Sequence, residues 1–208
     1  MLQLGGMVPL TSIDFPGHLA AVLFCQGCPW HCRYCHNPHL LRTDVPSKLE
    51  WAEVMRFLRE RVGFLDGVVF SGGEPLLQPR LLDAILEVKA LGFKIALHTA
   101  GIMPARLAKV LPYVDWVGLD IKAPFHAYKK VTGLAGSGFK AEESLDLLLA
   151  AKHVDYEIRT TLDSSLLSKE DVTMLAESLA KRGVKRHVLQ ACRKPETAVD
   201  MLHNVENQ

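Results

Sequence analysis

Six short, mostly apolar runs recur along the chain: LAAVLF (19–24), GVVF (67–70), KIALH (94–98), WVGLDI (116–121), YEIRTTL (156–162) and HVLQ (187–190). Continuous runs rich in β-branched residues suit strands of a parallel sheet covered on both faces. Helix-period segments lie between them. Ser47 and Glu50 read as a capping-box pair ahead of WAEVMRFLRERV. RLLDAILEVKAL carries Leu81, Ile85 and Val88 at helical spacing, with Gly92 behind it as a natural stop. SLDLLLAAK precedes the fifth run, and DVTMLAESLAKR with Gly183 precedes the sixth.

Six strand–helix units are too few to close an eight-stranded barrel. The expected fold is therefore α/β, a partial (β/α)6-type barrel of parallel strands, with a doubly wound sheet as the alternative. In either arrangement the polar motifs that follow the runs collect at the carboxyl edge of the sheet. The 208 residues read as a single domain, with 1–18 as an N-terminal lead-in and 191–208 as a C-terminal tail.

Composition narrows the function classes. Lys+Arg 24 against Asp+Glu 23 leaves a net charge of +1. No basic block stands out, so neither nucleic acid nor an anionic membrane is expected as a partner. The opening MLQLGGMVPLTSIDFPG shows no basic segment followed by an apolar one, so no signal peptide is expected. No apolar run approaches the roughly 20 residues of a spanning helix. Five cysteines, four of them clustered and Cys192 apart, make a poor disulfide framework. The expected compartment is the reducing cytoplasm, where such a cluster is metal-binding or catalytic.

The cluster is CQGCPWHCRYCHNPH, residues 25–39. Two triads can be drawn from it: Cys25, Cys28 and Cys32 as C-x2-C-x3-C, or Cys28, Cys32 and Cys35 as C-x3-C-x2-C. A four-cysteine zinc site is one reading, but its two knuckles are usually a dozen or more residues apart. Cysteines this close together are more typical of iron–sulfur ligation. Cys25 ends an apolar run and reads as a small buried hydrophobe.

CPWHCRYC, from Cys28 to Cys35, resembles the signature of the radical S-adenosylmethionine (radical SAM) superfamily. The resemblance implies one [4Fe–4S] cluster held by Cys28, Cys32 and Cys35, with one iron left open for S-adenosylmethionine. An electron passed from the cluster then breaks a C–S bond and releases a 5′-deoxyadenosyl radical. A fourth thiolate would close that position, which leaves Cys25 outside the set. The resemblance also implies that Tyr34 packs against adenine and that Gly72, Gly73 and Glu74, in SGGEP, grip the methionine amino group.

HTAG (98–101) and LDIKAP (119–124) resemble motifs of the activating enzymes for glycyl radical enzymes, as do the DFPG turn and CHNP. By this resemblance His98 and Thr99 belong to the cofactor site, and Asp120 and Lys122 lie near the methionine carboxylate or the substrate loop. His98 stands where that family has an acidic residue, which puts in doubt any metal ion the acid helps to bind. Arg159 and Gln190 point to the same edge and are expected to line it. His36 would tune the cluster or meet the partner, Trp30 and His31 would pack the loop or face a partner, and Cys192 is expected to be inert.

The short form most resembles activating proteins of anaerobic ribonucleoside-triphosphate reductase, so that reductase is the expected partner, with reduced flavodoxin or ferredoxin as electron donor. An activase of a formate-lyase-like enzyme is the near alternative. A radical enzyme acting on a small molecule, of the deazapurine synthase type, is the next. An iron–sulfur electron carrier or a zinc protein is the alternative of a different class.

Overall fold

The computed structural model of the chain describes residues 2–192. Seven strands form one sheet in strictly sequential order: β1 Leu4–Thr11, β2 Ala20–Cys25, β3 Gly67–Gly72, β4 Lys94–Thr99, β5 Trp116–Asp120, β6 Asp155–Leu162 and β7 His187–Ala191. All neighbours from β2 to β7 pair in parallel. A doubly wound sheet would reverse its strand order at a switch point. This sheet never reverses, so the fold is the partial barrel.

The helices are α1 Trp51–Glu60, α2 Leu81–Ala90, α3 Pro104–Val110, α4 Tyr128–Thr132, α5 Ser137–Ala150 and α6 Lys169–Lys181. Successive strand residues point to opposite faces. Ala21, Leu23, Val68, Phe70, Ile95, Leu97, Val117 and Leu119 face the helices and form the main core with residues such as Leu58, Ile85, Leu107 and Leu145. Truncating one of these fully buried leucines to alanine would cost about 2–5 kcal/mol. The opposite face carries a small core of Phe15, Ala20, Val22, Val69, Ala96 and Trp116, which fills the amino-terminal end of the barrel. The same alternation aims Ser71, His98, Asp120 and Arg159 into the barrel interior above that plug.

Three local expectations need correction. The lead-in contains β1, an antiparallel edge strand on β2. Gly5, Gly6 and Pro9 obscure it, because these residues are poor strand formers. Edge position makes them tolerable, and the pairing is irregular between Val8 and Thr11, where Pro9 falls. Ser47 does not cap α1: its hydroxyl accepts from Leu4 N–H and donates to the Leu49 carbonyl, tying β1 to the loop. Glu50 is the N-cap, and its N–H donates to Glu53 Oε2. Finally, α5 begins at Ser137, a full two turns before the expected segment. Of the expected C-terminal tail, Ala191 closes β7, and everything from residue 193 onward lies outside the described residues.

Candidate functional site

At the carboxyl ends of the strands one cavity collects Cys28, Cys32, Tyr34 and Cys35 with Gly72, Gly73, His98, Thr99, Asp120, Lys122 and Arg159. The loop after β2 is folded back on itself by the buried side chain of Gln26, whose amide donates to the carbonyls of His39 and Arg42. Gln78 donates in turn to the Gln26 carbonyl at 2.6 Å. These two glutamines carry no motif signal beyond the QGC and LLQ in which they sit. Trp30 is buried, only 1% exposed, with its ring edge-on to Tyr128 at 5.8 Å. The His31 N–H donates to the Thr132 carbonyl. The cysteine loop therefore rests on α4, an element the hydrophobic pattern did not announce.

Cys28, Cys32 and Cys35 are partly exposed and unbridged. Burial, reinforced by the charge of Glu74, pushes the Cys28 thiol up to about 12. Cys32 is pushed up by burial too, against the pull of Lys122. Filling such a site with metal must displace thiol protons. Cys25 faces the other way: it belongs to the helix-side core, is fully buried, and its thiol is raised further still by desolvation.

The glycine pair makes close backbone approach possible. At Gly72, φ is +114° and an added Cβ would lie 2.4 Å from the Cys25 nitrogen; at Gly73 it would lie 2.5 Å from the Gly27 carbonyl oxygen. Glu74 stands behind this pair and is absent from the cavity wall. Its buried carboxylate accepts from Thr99 Oγ1 at 2.6 Å, Leu76 N–H at 3.0 Å and Ala100 N–H at 2.9 Å. Burial raises its pKa, and those donors oppose the rise. The carboxylate thus anchors the β3 and β4 loops to each other and presents no oxygen to the cavity.

Opposite the thiols lie three charged side chains and a neutral imidazole. Asp120 accepts from Lys122 at 3.2 Å and from Arg159 at 3.1 Å. Burial works against its ionisation, but the two cations outweigh it and hold the carboxyl below its usual range. Burial likewise opposes the charge on Lys122, and Asp120 prevails, raising it well above the ordinary lysine value. The Arg159 guanidinium lies flat over Gly118, where an added Cβ would meet it at 2.8 Å. His98 Nε2 donates to the Asp14 carbonyl at 2.7 Å, so its Nδ1 is the acceptor for Arg159 at 3.4 Å. Desolvation, then Arg159, lowers this imidazole to about 4, so it is neutral near pH 7. Gln190 pairs with Thr161 across β6 and β7 but is exposed and outside the cavity wall. That expectation is corrected: β7 is an edge strand, and its far end turns its side chains to solvent.

The profile of the Radical SAM superfamily matches residues 22–163, which span every motif in the cavity. This chain belongs to the radical SAM superfamily. Two relatives refine that membership. One, from Methanocaldococcus jannaschii and named as a glycyl-radical enzyme activating enzyme, is 30% identical over 183 residues, covering 84% of this chain and 74% of the relative. The pyruvate formate-lyase-activating enzyme of Clostridium pasteurianum is 37% identical over 174 residues, covering 79% and 70%. The chain thus groups with the glycyl-radical-activating enzymes of the radical SAM superfamily. Among solved structures, anSMEcpe with bound AdoMet superposes with a TM-score of 0.64 at 19% identity, over 82% of this chain and 50% of that one. QueE from Escherichia coli gives 0.51 at 17% identity, over 91% and 93%. At such identities these structures speak for the fold, and the chain spans only half the length of anSMEcpe.

The cofactors of this radical SAM enzyme are those of its superfamily, a [4Fe–4S] cluster and S-adenosylmethionine; a zinc site is thereby set aside. The cavity fits both. Among the described residues no three His, Cys, Asp or Glu side chains are gathered for a single metal ion. A cubane asks for something else, since each thiolate binds a different iron and the sulfurs stand farther apart. The Tyr34 hydroxyl is buried without a hydrogen-bond partner among the described residues, while its ring lines the cavity with Lys122 5.9 Å from its centre. An orphaned hydroxyl of this kind is a group kept for a ligand or a water. No helix among the described residues is long and apolar enough to cross a membrane.

Proposed function

We propose that this enzyme generates a glycyl radical on a partner polypeptide, with Cys28, Cys32 and Cys35 holding the cluster. The observation that carries this is the single cavity joining those thiols to the Gly72–Gly73 backbone and the Asp120–Lys122–Arg159 group. The bound cluster and S-adenosylmethionine supply the radical chemistry; the chain supplies position. Backbone carbonyls beside Gly72 and Gly73 receive the methionine ammonium. Lys122 and Arg159, two cations against one carboxylate, leave a positive balance for the methionine carboxylate. Tyr34 lays its ring against adenine, and its free hydroxyl takes a ligand hydrogen bond. Glu74 and Thr99 support this surface from behind.

Two observations support a polypeptide substrate. Among the described residues the barrel is left open between β1 and β7, so a loop can enter where a closed barrel would admit only a small molecule. Both curated relatives above carry names of glycyl-radical activation. The partner we propose is anaerobic ribonucleoside-triphosphate reductase, as the sequence resemblance implies, with flavodoxin or ferredoxin as donor. The Clostridium relative favours a formate-lyase-like partner as the second reading.

The test is anaerobic. Reconstituted, reduced protein is given S-adenosylmethionine with each candidate partner in turn, and 5′-deoxyadenosine and the partner's EPR signal are followed. Nucleoside with a glycyl radical on one partner establishes the reading and names the target. Nucleoside with no radical on either partner moves the substrate to the small-molecule class.

A further inference from the structure

The sequence left a metal ion in doubt beside the ends of β4 and β5, because His98 stands there in place of an acid. The side chain that meets His98 is Arg159, which reaches across from β6. All three of its guanidinium nitrogens are engaged. Nε donates to Asp120 Oδ1 at 3.1 Å, Nη2 to the Gly118 carbonyl at 3.3 Å and Nη1 to His98 Nδ1 at 3.4 Å. Gly118 leaves the space for this, since an added Cβ would lie 2.8 Å from the guanidinium carbon. The Arg159 side chain is only 14% exposed, so it is held in the cavity wall and does not trail in solvent.

A metal ion at this point would find its ligands taken. Hard cations bind oxygen, with carboxylates prominent among their ligands. Asp120 carries the one carboxylate among the described residues that line the cavity, and its second oxygen accepts from Lys122 at 3.2 Å. Thr99 Oγ1 donates to Glu74 and accepts from the Gly101 N–H. His98 offers Arg159 a nitrogen lone pair, and its other ring nitrogen donates to the Asp14 carbonyl. Ser71 and Thr161 add neutral hydroxyls only.

Charge decides in the same direction. Lys122 and Arg159 together outweigh Asp120, and both cations are mostly buried. Like charges at short range in a partly buried site repel strongly. A third cation beside them is disfavoured, and an anion is drawn in. Arginine suits the position because it stays charged at any working pH and presents its donors in a fixed fork that matches a carboxylate. Of its five N–H donors, the bonds above use three, which leaves one on each terminal nitrogen for a ligand.

We infer that the Arg159 guanidinium, seated on His98, Gly118 and Asp120, takes the place of a metal ion in this cavity, so that S-adenosylmethionine binds with no dissolved cation. The inference rests on the proposed placement of the methionine carboxylate beside Lys122 and Arg159. His98 and Arg159 form one device in this account. A carboxylate at position 98 would attract a cation and pair with the guanidinium, leaving less positive charge for the cofactor. The neutral imidazole accepts one N–H and orients the fork without cancelling its charge. Gly118 completes the device by letting the guanidinium lie against the strand.

The test is calorimetry of S-adenosylmethionine binding to the reconstituted holoenzyme at constant ionic strength. K⁺, Na⁺ and Mg²⁺ are each compared with tetramethylammonium plus a chelator. The wild-type dissociation constant should agree within about twofold across all four, because the cation is part of the chain. Arg159→Ala leaves Asp120 paired with Lys122 alone and should bind about tenfold more weakly in every salt. Added guanidinium ion should recover part of that loss, and K⁺ should not. His98→Asp/Arg159→Ala supplies a second carboxylate and frees Asp120 Oδ1 and the Gly118 carbonyl, so it should bind better with a metal ion than without. A wild type that needs any of the three metal ions overturns the inference and leaves the carboxylate placement standing. Arg159→Ala binding as tightly as the wild type removes that placement, and the inference with it. A double variant indifferent to every metal ion shows that no cation position lies under the guanidinium, which also overturns it. Should that variant fail to take up a cluster, the wild-type and Arg159→Ala series decide by themselves. None of these readouts uses the partner, so a failure to form a glycyl radical leaves them intact.

Discussion

Thr99 donates its hydroxyl to Glu74 at 2.6 Å, so the residue after the glycine pair of β3 is locked to the end of β4 before any ligand binds. Replacing Glu74 by Gln turns an all-acceptor group into one carrying two donors, set against a hydroxyl and two N–H groups. Glu74→Gln should lose about 1–3 kcal/mol of stability and weaken S-adenosylmethionine binding. Cluster absorbance should persist. Thermal unfolding, equilibrium dialysis and the visible spectrum separate these effects; a lost spectrum would make Glu74 part of the cluster's own support.

The thiols divide by direction. Alanine at Cys28, Cys32 or Cys35 should abolish cluster assembly and 5′-deoxyadenosine formation. Cys25→Ala should retain near-normal iron content and lose only about 1 kcal/mol, the scale of a small cavity. Iron and sulfide analysis of the four variants decides, and a Cys25 variant without iron would show that the other triad holds the cluster.

Asp120 balances two cations, so its loss should be severe. Asp120→Ala leaves Lys122 and Arg159 buried without their carboxylate, a change that costs about 3–5 kcal/mol in comparable sites. Arg159→Lys keeps the charge but cannot hold Asp120, Gly118 and His98 together. It should fold and bind S-adenosylmethionine several-fold more weakly, measured by calorimetry on the reconstituted protein.

His98 gives the fold a pH dependence of defined sign. Its folded pKa of about 4 lies below the ordinary 6.5, so between these values the unfolded chain binds the extra proton. Its contribution is complete above pH 6.5 and is lost as pH falls toward 4, amounting to roughly 3 kcal/mol. His98→Gln cannot take up that proton. Urea unfolding of the wild type should show a steeper loss from pH 6.5 to 4.5 than the variant does, and parallel curves would mean that the ring is free to ionise in the native state.

Ligand linkage gives an independent check on the site. At a hundred times its dissociation constant, S-adenosylmethionine should add about 2.7 kcal/mol to the stability of the reconstituted protein. The gain should shrink in Arg159→Lys and stay intact in Lys129→Glu, because Lys129 is exposed and lines no part of the cysteine cavity.

What the chain determines by itself is whatever is carried by neighbours in sequence. The strands β2 to β5 appear as apolar runs because both faces of the sheet are largely covered there. The cysteine spacing, SGGEP, HTAG and LDIKAP are each contiguous, and each lands at a strand's carboxyl end because the preceding run places it there. Period-two alternation even orients Cys25 away from the cavity.

Tertiary structure decided everything that depends on distant pairs. Glu74 is hidden because Thr99 and Ala100 supply donors from 25 and 26 positions away. His98 is neutral because burial and the Arg159 guanidinium, 61 positions away, outweigh the Asp14 carbonyl, whose hydrogen bond favours the charged ring. The edge strand β1 owes its existence to pairing with β2, which offsets the poor strand propensity of Gly5, Gly6 and Pro9. Gln190 leaves the site because β7 is an edge. The cysteine loop is seated on α4 only where Trp30 meets Tyr128, a contact that burial selects and no local pattern encodes.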